Sequence, residues 1–213
     1  MMADATRLRE TGRMRSLFRS IRKASSPLRD WIRVRGGSPG VQRSVALRPE
    51  DAEPTRRRWH VLVDLIHEQL SGQNLTIVEV GTRTGETTEH LHKYCPQVSA
   101  FYCIDLQEPA PEANRINGLD RVHFIKGYSD EAASRFDDGS VDLVFIDADH
   151  SETWVRRDVQ AWLTKVKAGG VISGHDYGSK NHPGVKLAVD DLFSGHSAPV
   201  SVDANKVWWT LKE

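Results

Sequence analysis

The segment from Thr76 to Gly85, which reads TIVEVGTRTG, constrains the fold of this chain more than any other stretch. The apolar run up to Val80 is typical of a buried strand, and Glu86 begins a segment with helical character. Gly81 can adopt backbone angles that other residues avoid, and Gly85 lets a helix start pack closely against a ligand. The segment therefore predicts a strand, a tight turn and a helix that hold a nucleotide-like ligand against bare main chain. Its spacing, E-x-G-x-x-x-G, differs from the G-x-G-x-x-G of dinucleotide-binding folds.

Beyond this turn, short segments rich in Val, Ile and Phe alternate with helical segments. Such alternation is typical of a parallel sheet covered by helices on both faces, and two closing β segments predict an antiparallel edge. The expected fold is α/β and doubly wound, with a mostly parallel seven-stranded sheet and an antiparallel C-terminal hairpin. The predicted strands are Leu75–Val80, Ala100–Leu106, Val122–Lys126, Val141–Ala148, Gly170–Ser173, Pro199–Val202 and Val207–Leu211. The predicted helices are Thr55–Leu70, Glu86–Lys93, Ser151–Val166 and Val185–Phe193.

The N-terminal part of the chain differs from the rest in charge. Residues 1–58 hold 15 Lys and Arg against 6 Asp and Glu, although the whole chain has no net charge. Apolar residues at helical spacing lie among arginines and predict a basic amphipathic helix, formed around Met14, Leu17, Phe18 and Ile21. Because residues 35–54 are rich in Gly and Pro, we expect a basic arm and linker over residues 1–54 and a folded domain over residues 55–213.

The basic arm has three interpretations. The favoured one is packing on the domain itself or on a second subunit, which makes a homodimer through the arm a candidate assembly. Binding to an anionic surface, either nucleic acid or membrane lipid, is a less favoured alternative. The third is an organellar targeting segment, since the stretch is rich in Arg and Ser.

The composition sets further bounds. Hydrophobic residues make up 38% of the chain and charged residues 27%, which is typical of a globular protein with a sizeable core. No apolar run reaches the roughly 20 residues that a membrane-spanning helix needs. The two cysteines, Cys95 and Cys103, form neither a disulfide framework nor a zinc-ligand pattern. A reducing, cytoplasmic setting is the simplest expectation.

Residues able to carry chemistry follow the predicted strands at their carboxyl ends. In open α/β sheets these ends face a crevice in which ligands bind. Asp105 ends the second strand 24 residues after Gly81, where a carboxylate would accept hydrogen bonds from ribose hydroxyls; a helix cap is the alternative. The groups expected to converge are Glu79–Gly81, Asp105, Gly127–Ser129, Asp147–His150 and His175–Tyr177.

On these residues the chain resembles the class I S-adenosylmethionine-dependent methyltransferases over about residues 55–213. Glu79–Gly85 is similar to their first motif, Asp105 to the acid that binds the ribose, and Gly127–Ser129 to the loop beside the adenine. The resemblance implies a Rossmann-like domain with S-adenosyl-L-methionine as cofactor. The cofactor-binding residues that it implies are Glu79, Gly81, Thr82, Arg83, Gly85, Asp105, Gly127, Tyr128, Ser129 and Asp147.

Two further segments, Val144–His150 (VFIDADH) and Gly169–Tyr177 (GGVISGHDY), are similar to the metal-dependent O-methyltransferases. That group includes the catechol and caffeoyl-CoA enzymes and some antibiotic-sugar methyltransferases. In it, acids after the fourth and fifth strands bind Mg²⁺, and a basic residue three positions after the first acid takes the proton. The resemblance implies Asp147 and Asp176 as metal ligands and His150 as the catalytic base beside Asp147.

Asp149 or His175 would complete the metal ligands implied by the resemblance. The chemistry suits these residue types, because a bound cation lowers the pKa of a hydroxyl and directs it towards a methyl donor. Carboxylate oxygens suit a hard cation, and a His, with an ordinary pKa of about 6.5, can accept the proton. His150 stands where the catechol enzymes have Lys, which favours a sugar or aliphatic hydroxyl over a catechol. Tyr177 stands where they have Asn.

Each of these residues also has a structural interpretation. Asp149 suits the cap of the helix that follows it, and His150 suits a loop that faces solvent. His175–Asp176 could be a turn with only local hydrogen bonds. His182 and His196 have no partner at ligand spacing, so both are expected at the surface.

The function that the sequence favours is methyl transfer from S-adenosylmethionine to a hydroxyl of a small molecule, such as a sugar, natural product or phenol. Mg²⁺ and a His base would assist the reaction. One alternative keeps the cofactor and takes RNA as substrate through the basic arm. The others are a nucleotide-binding oxidoreductase, which the glycine spacing and the His/Asp group disfavour, and a non-catalytic partner subunit.

Overall fold

The computed structural model describes residues 56–213 of the 213-residue chain. The basic arm and linker predicted for residues 1–54 lie outside the described residues. The amphipathic helix and a homodimer through it therefore stay predictions. Among residues 56–213, no helix is long and apolar enough to cross a membrane.

In the part of the chain from residue 56 to residue 213, seven strands form one sheet. They are β1 (Leu75–Val80), β2 (Val98–Asp105), β3 (Val122–Lys126), β4 (Val141–Ile146), β5 (Val166–Gly174), β6 (Ser201–Val202) and β7 (Trp208–Leu211). Their order is β3-β2-β1-β4-β5-β7-β6. Strands β1 to β5 pair in parallel, whereas β7 runs antiparallel to both β5 and β6. The predicted doubly wound, mostly parallel sheet with an antiparallel C-terminal hairpin is confirmed. The order reverses between β1 and β4, so a crevice opens there at the carboxyl ends.

Among residues 56–213 there are five α-helices, of which the first precedes β1 and the other four lie between strands. They are α1 (Arg58–Gln69), α2 (Glu86–Tyr94), α3 (Ser129–Ala133), α4 (Glu152–Leu163) and α5 (Pro183–Leu192). The short helix α3 was not predicted. The predicted extension of the fourth helix to Val166 was wrong, because α4 ends at Leu163 and Val166 already pairs with Val141 in the sheet. A tight turn closes α4, where the N–H of Lys165 donates to the carbonyl oxygen of Trp162 at 2.9 Å.

The helices cover both faces of the sheet. Buried apolar residues of α1 and α2 pack on one face, around Leu62, Ile66 and Leu91. Those of α3, α4 and α5 pack on the other, around Trp162 and Val189. Since both faces are covered, the inner strands are mostly apolar, and in β4 all six residues are buried, five of them apolar.

An ion pair between buried Asp142 and partly exposed Lys167 fastens the amino ends of the central strands. Asp142 is 8% exposed and accepts a hydrogen bond from the N–H of Thr76 at 2.8 Å. Lys167 contacts both of its carboxylate oxygens, at 2.8 and 2.9 Å. These contacts tie β1, β4 and β5 together at the edge opposite the crevice.

Candidate active site

The turn between β1 and α2 lies where the sheet order reverses. Gly81 has a φ of 88°, and its N–H donates to the carbonyl oxygen of Ile104 at 2.8 Å. A Cβ atom on Gly81 would lie 2.2 Å from the carbonyl oxygen of Asp147, so only glycine lets the loops after β1 and β4 touch. A Cβ on Gly85 would lie 2.4 Å from Cγ2 of Ile116. Close contacts within the protein therefore require both glycines. This reason adds to the one predicted from the sequence, which is that glycine lets a ligand approach the main chain.

A cavity of about 790 Å³ opens beside this turn, within the size range of small-molecule sites. Every strand-end group that the sequence predicted to converge contributes to its lining. The predicted site residues in the lining are Gly81, Arg83, Asp105, Gly127, Tyr128, Ser129, Asp147, Asp149, His150, His175 and Asp176.

Asp105 presents its half-buried carboxylate to this cavity from the end of β2. One oxygen accepts a hydrogen bond from the N–H of Arg83 at 2.8 Å, and the other accepts one from the N–H of Gln107 at 3.2 Å. Each oxygen keeps a further lone pair for a ligand hydroxyl. The alternative of a helix cap is wrong, because the next helical turn begins only at Pro111. Ribose binding by Asp105 stays a prediction.

An aromatic surface forms another wall of the cavity. The ring of Tyr128, 47% exposed, stacks on that of Trp154 with centroids 5.9 Å apart and planes at 5°. The guanidinium of Arg157 lies 4.6 Å from the centre of the Trp154 ring on a face of the indole. Asp158 lies behind them. Burial raises the pKa of Asp158 to about 6, although a hydrogen bond with Ser129 partly offsets the rise. A flat aromatic surface of this kind suits a purine ring.

Glu79 and Thr82 lie under the turn and not in the cavity lining. Glu79 is 4% exposed and accepts a hydrogen bond from the Thr88 hydroxyl at 2.6 Å. Burial raises the pKa of Glu79 to about 7, although hydrogen bonds with Thr88 and Thr87 oppose the rise. The Thr82 hydroxyl donates to the carbonyl oxygen of Ile104 at 3.5 Å. Both residues therefore support the turn, and cofactor contacts by either of them, or by Gly85, stay predictions.

Side chains that follow β4 and β5 converge at one edge of the cavity. Nε2 of His150 lies 3.4 Å from Oδ1 of Asp147 and 3.1 Å from Oδ2 of Asp176. Nδ1 of His175 lies 3.5 Å and 3.3 Å from the same two oxygens. Each imidazole thus lies within reach of both carboxylates. We call Asp147, His150, His175 and Asp176 the His/Asp cluster.

The donor atoms of the His/Asp cluster are close enough to share a cation. Those of Asp147, His175 and Asp176 all lie within 4.8 Å of one another. The carboxylates supply the oxygen ligands that Mg²⁺ accepts. Asp176 has a φ of 58°, in the left-handed region that Asp tolerates better than most residues, and this conformation follows directly after the end of β5.

The charges of the cluster support one another. Burial alone would raise the pKa of Asp147, but hydrogen bonds from His150 and His175 and the charge of Arg58 hold it well below its usual range. The hydrogen bond to Asp147 raises the pKa of His150, although burial opposes the rise. Asp147 is therefore ionised near neutral pH and favours a positive group beside it.

Two further residues join the site that sequence reasoning did not assign to it. Nε of Arg58, at the start of α1, lies 3.5 Å from Oδ2 of Asp147 and donates to the Thr87 hydroxyl at 3.1 Å. The ring of His182 lies against that of His150 with centroids 4.2 Å apart, and its Nε2 is 4.0 Å from Asp176. The expectation of an isolated surface His182 was wrong, because the loop before α5 folds back onto the cluster.

Other expectations have simpler outcomes. Asp149 is exposed and its Oδ1 accepts a hydrogen bond from the N–H of Ser151 at 2.7 Å, so its carboxylate supports the start of α4 and lies outside the cluster of donors. The Tyr177 hydroxyl donates to Asp190 at 2.5 Å, which directs it towards α5. His196 is exposed, as expected.

Comparisons with known proteins agree with this geometry. A family model described as a methyltransferase domain matches residues 78–177. The chain is similar in structure to an rRNA methylase from Streptococcus thermophilus, with 16% identity, a TM-score of 0.56, and coverage of 74% of this chain and 98% of that one. No curated protein matches the chain.

Two other solved structures are similar at the level of the fold. One is CalS11, a TDP-rhamnose 3'-O-methyltransferase of calicheamicin biosynthesis, with 13% identity, a TM-score of 0.55, and coverage of 71% of this chain and 77% of that one. The other is the cofactor-bound protein Rv0187 from MTB, with 20% identity, a TM-score of 0.53, and coverage of 72% and 77%.

The strand order, with its antiparallel C-terminal strands, is that of a Rossmann-like methyltransferase fold, and the cavity lies at the point where the order reverses.

Proposed function

We propose that the chain transfers the methyl group of S-adenosylmethionine to a hydroxyl of a small molecule. The observation that carries the proposal is the His/Asp cluster at the edge of the cofactor cavity. A hydroxyl is a poor nucleophile near neutral pH, and a proton acceptor and a bound cation each make it a better one. The His/Asp cluster offers an imidazole for the first task and two carboxylates able to hold a cation for the second.

His150 is the proposed base. In the reaction, an oxygen lone pair of the acceptor forms the new C–O bond while the S–C bond of the sulfonium breaks and its electron pair stays on sulfur. The hydroxyl proton passes to Nδ1 of His150, because Nε2 already donates its hydrogen to Asp147, and the products are the methyl ether and S-adenosylhomocysteine. Asp147 and Asp176, which lie 3.4 and 3.1 Å from Nε2, stabilise the imidazolium that forms.

A divalent cation is part of the proposal, and Mg²⁺ is the ion expected from the sequence resemblance. Asp147 and Asp176 would hold it, and His175 would be a third donor. When bound, such an ion lowers the pKa of the acceptor hydroxyl and fixes its direction. Asp147 in addition orients His150 through the hydrogen bond between them.

A second cleft gives room for the acceptor. It has a volume of about 680 Å³ and shares His150 and Asp149 with the cofactor cavity. Its other wall comes from the start of α5 and the loop before it, and includes Asn181, His182 and Leu187. Amide and imidazole groups next to an apolar side chain suit a polyhydroxylated ligand such as a sugar. The similarity to a TDP-rhamnose 3'-O-methyltransferase is consistent with that class.

Charge also favours a small-molecule acceptor. Residues 56–213 hold 17 Lys and Arg against 23 Asp and Glu. A domain with net negative charge repels the phosphate backbone of a nucleic acid. An uncharged hydroxyl compound does not experience this repulsion.

The cofactor is tested by calorimetry with S-adenosylhomocysteine, and no binding at millimolar concentration would refute it. The base is tested by methyl transfer from labelled cofactor to a panel of sugars, phenols and natural-product alcohols. We expect His150→Ala to lose about 10²–10⁴-fold in turnover, the range for a general base. His196→Ala is the matched control, because His196 is an exposed histidine outside the cluster. An unchanged rate in His150→Ala would remove His150 from the mechanism.

RNA is the second candidate acceptor. The basic residues before the domain favour it, and so does the similarity to an rRNA methylase. Deleting residues 1–40 separates the two candidates, since RNA binding depends on positive charge. Loss of RNA binding and of methyl transfer to RNA would support this alternative. Full turnover of a small-molecule acceptor by the shortened chain would support the first.

A further inference from the structure

The His/Asp cluster offers nitrogen as well as oxygen donors. We infer that the centre formed by Asp147, His175 and Asp176 selects a transition-metal ion such as Mn²⁺, Co²⁺ or Zn²⁺ over Mg²⁺. The inference rests on the proposed metal-assisted function and changes the identity of the ion.

The distances fit ligands that share one ion. Nδ1 of His175 lies 3.5 Å from Oδ1 of Asp147 and 3.3 Å from Oδ2 of Asp176. Two ligand atoms bound at about 2.1 Å to the same ion, at tetrahedral or octahedral angles, are about 3.0–3.4 Å apart. The imidazole nitrogen of His175 is therefore already at nearly ligand spacing from both carboxylate oxygens, and all three donor atoms lie within 4.8 Å of one another.

The position of His175 is fixed by the sheet. Its N–H donates to the carbonyl oxygen of Ile146 at 3.1 Å, at the edge where β4 and β5 pair. The His175 side chain is 20% exposed, against 12% for Asp147 and 17% for Asp176. His175 is thus held at the same depth as the two carboxylates, and a cation between the carboxylates meets its imidazole nitrogen.

The chemistry of an imidazole donor decides the preference. Mg²⁺ takes oxygen ligands and keeps several waters, so a nitrogen in the ligand set contributes little to its binding. Imidazole binds the first-row transition metals strongly, in the order that rises from Mn²⁺ through Co²⁺. A second donor set, His150, Asp176 and His182, shares Asp176 with the first and adds two more imidazoles near the same carboxylate. The surroundings of Asp176 are therefore rich in nitrogen.

The test is direct metal binding to the full chain after treatment with EDTA. Mg²⁺, Mn²⁺, Co²⁺ and Zn²⁺ are titrated separately by calorimetry and by the rise in melting temperature. We expect each transition-metal ion to bind at least about 10-fold more tightly than Mg²⁺. In His175→Asp the nitrogen donor becomes an oxygen donor. The ratio of transition-metal affinity to Mg²⁺ affinity should therefore fall towards 1, while Mg²⁺ binding persists. His196→Ala should keep the wild-type ratio.

A spectroscopic measurement keeps the test independent of whether the variant folds. Bound Mn²⁺ should broaden the NMR signals of His150 and His175 in the wild-type chain at ratios well below one ion per chain, and leave those of His196 sharp. Equal affinities for Mg²⁺ and Mn²⁺, or broadening of His196 alone, would overturn the inference and leave methyl transfer untouched. If no ion binds, the inference fails and the metal is also removed from the proposed function. If the chain does not bind the cofactor, the S-adenosylhomocysteine titration shows it, and the metal titrations do not.

Discussion

Replacing Gly81 by Ala tests whether the turn between β1 and α2 fixes the position of Asp147 in the His/Asp cluster. Gly81 has a φ of 88°, which costs an Ala about 1–2 kcal/mol by itself. The new Cβ would lie 2.2 Å from the carbonyl oxygen of Asp147 and 2.7 Å from Cα of Ala148. Both neighbours are backbone atoms, so no side chain can rotate away. The loop after β4 must shift by about 1 Å to reach an ordinary contact distance.

The expected cost has two parts. Overpacking of a close contact costs about 1–3 kcal/mol, and with the backbone conformation the total becomes about 2–5 kcal/mol. In a domain of this size, that corresponds to a fall in melting temperature of roughly 4–20 °C. Because the shift moves Asp147, we also expect turnover to fall by about 10²-fold, which is the effect of a misplacement of this size in an active site.

Gly139→Ala is the matched control for this substitution. Gly139 has a φ of 66°, and a Cβ there would meet no atom within 4 Å among residues 56–213. It therefore carries the cost of the backbone conformation without the clash, about 1–2 kcal/mol. Urea unfolding of both variants measures the difference, with the m-value as a check that the unfolded state is unchanged. If Gly81→Ala is no less stable than Gly139→Ala and keeps its turnover, the contact with Asp147 does not constrain the site.

Three further substitutions test the residues around the cofactor. Folded Glu79 has a pKa raised from 4.5 to about 7, so the folded state holds an extra proton between these values and stability falls as the pH rises through that window. Glu79→Gln keeps an acceptor for the Thr88 hydroxyl but does not titrate. Urea unfolding at several pH values should therefore show a fall in the free energy of unfolding that is smaller by about 3 kcal/mol than in the wild type. A fall of wild-type size in the variant would contradict the raised pKa of Glu79. Asp105→Asn should weaken S-adenosylhomocysteine binding by about 10–100-fold in calorimetry, since a charged acceptor is lost; equal affinity would remove Asp105 from the ribose site. Trp154→Ala should weaken it by about 10-fold, because Tyr128 loses the ring that supports its stacking face; unchanged affinity would exclude the aromatic wall from the cofactor site.

The sheet and the cluster could be predicted from sequence because both depend on local patterns. Apolar runs mark the parallel strands, and the carboxyl ends of parallel strands meet at one edge whatever the loops do. Asp147 and Asp176 each follow such a strand closely, so their convergence required only the order of the strands. The same argument placed Asp105 and Gly127 in the cavity lining.

Residues brought in by loops could not be predicted in this way. His182 lies six positions after Asp176 and reaches the cluster only because the intervening loop folds back, which no spacing rule describes. Arg58 was predicted only as part of the helix Thr55–Leu70, and its contact with Asp147 depends on how α1 packs. Asp149 illustrates the opposite error, because its carboxylate accepts from the N–H of Ser151 just before α4, and a carboxylate near a strand end suits a metal and such a turn equally well.

The contact between Gly81 and Asp147 joins the turn of the proposed methyl-donor site and the proposed acceptor site in one rigid unit. The N–H of Asp147 donates to the carbonyl oxygen of Val80 at 2.8 Å, and Val80 pairs with Ile146 in the sheet. The residue that lines the cofactor turn is therefore fixed, through hydrogen bonds and a close backbone contact, to the residue that orients His150. The distance between the donor and the base is set by the central strands, which leaves the loop before α5 as the part of the site able to vary with the acceptor. Substitutions at Asn181 or Leu187 should accordingly change acceptor preference without changing S-adenosylhomocysteine affinity, and a parallel change in both would contradict this division of the site.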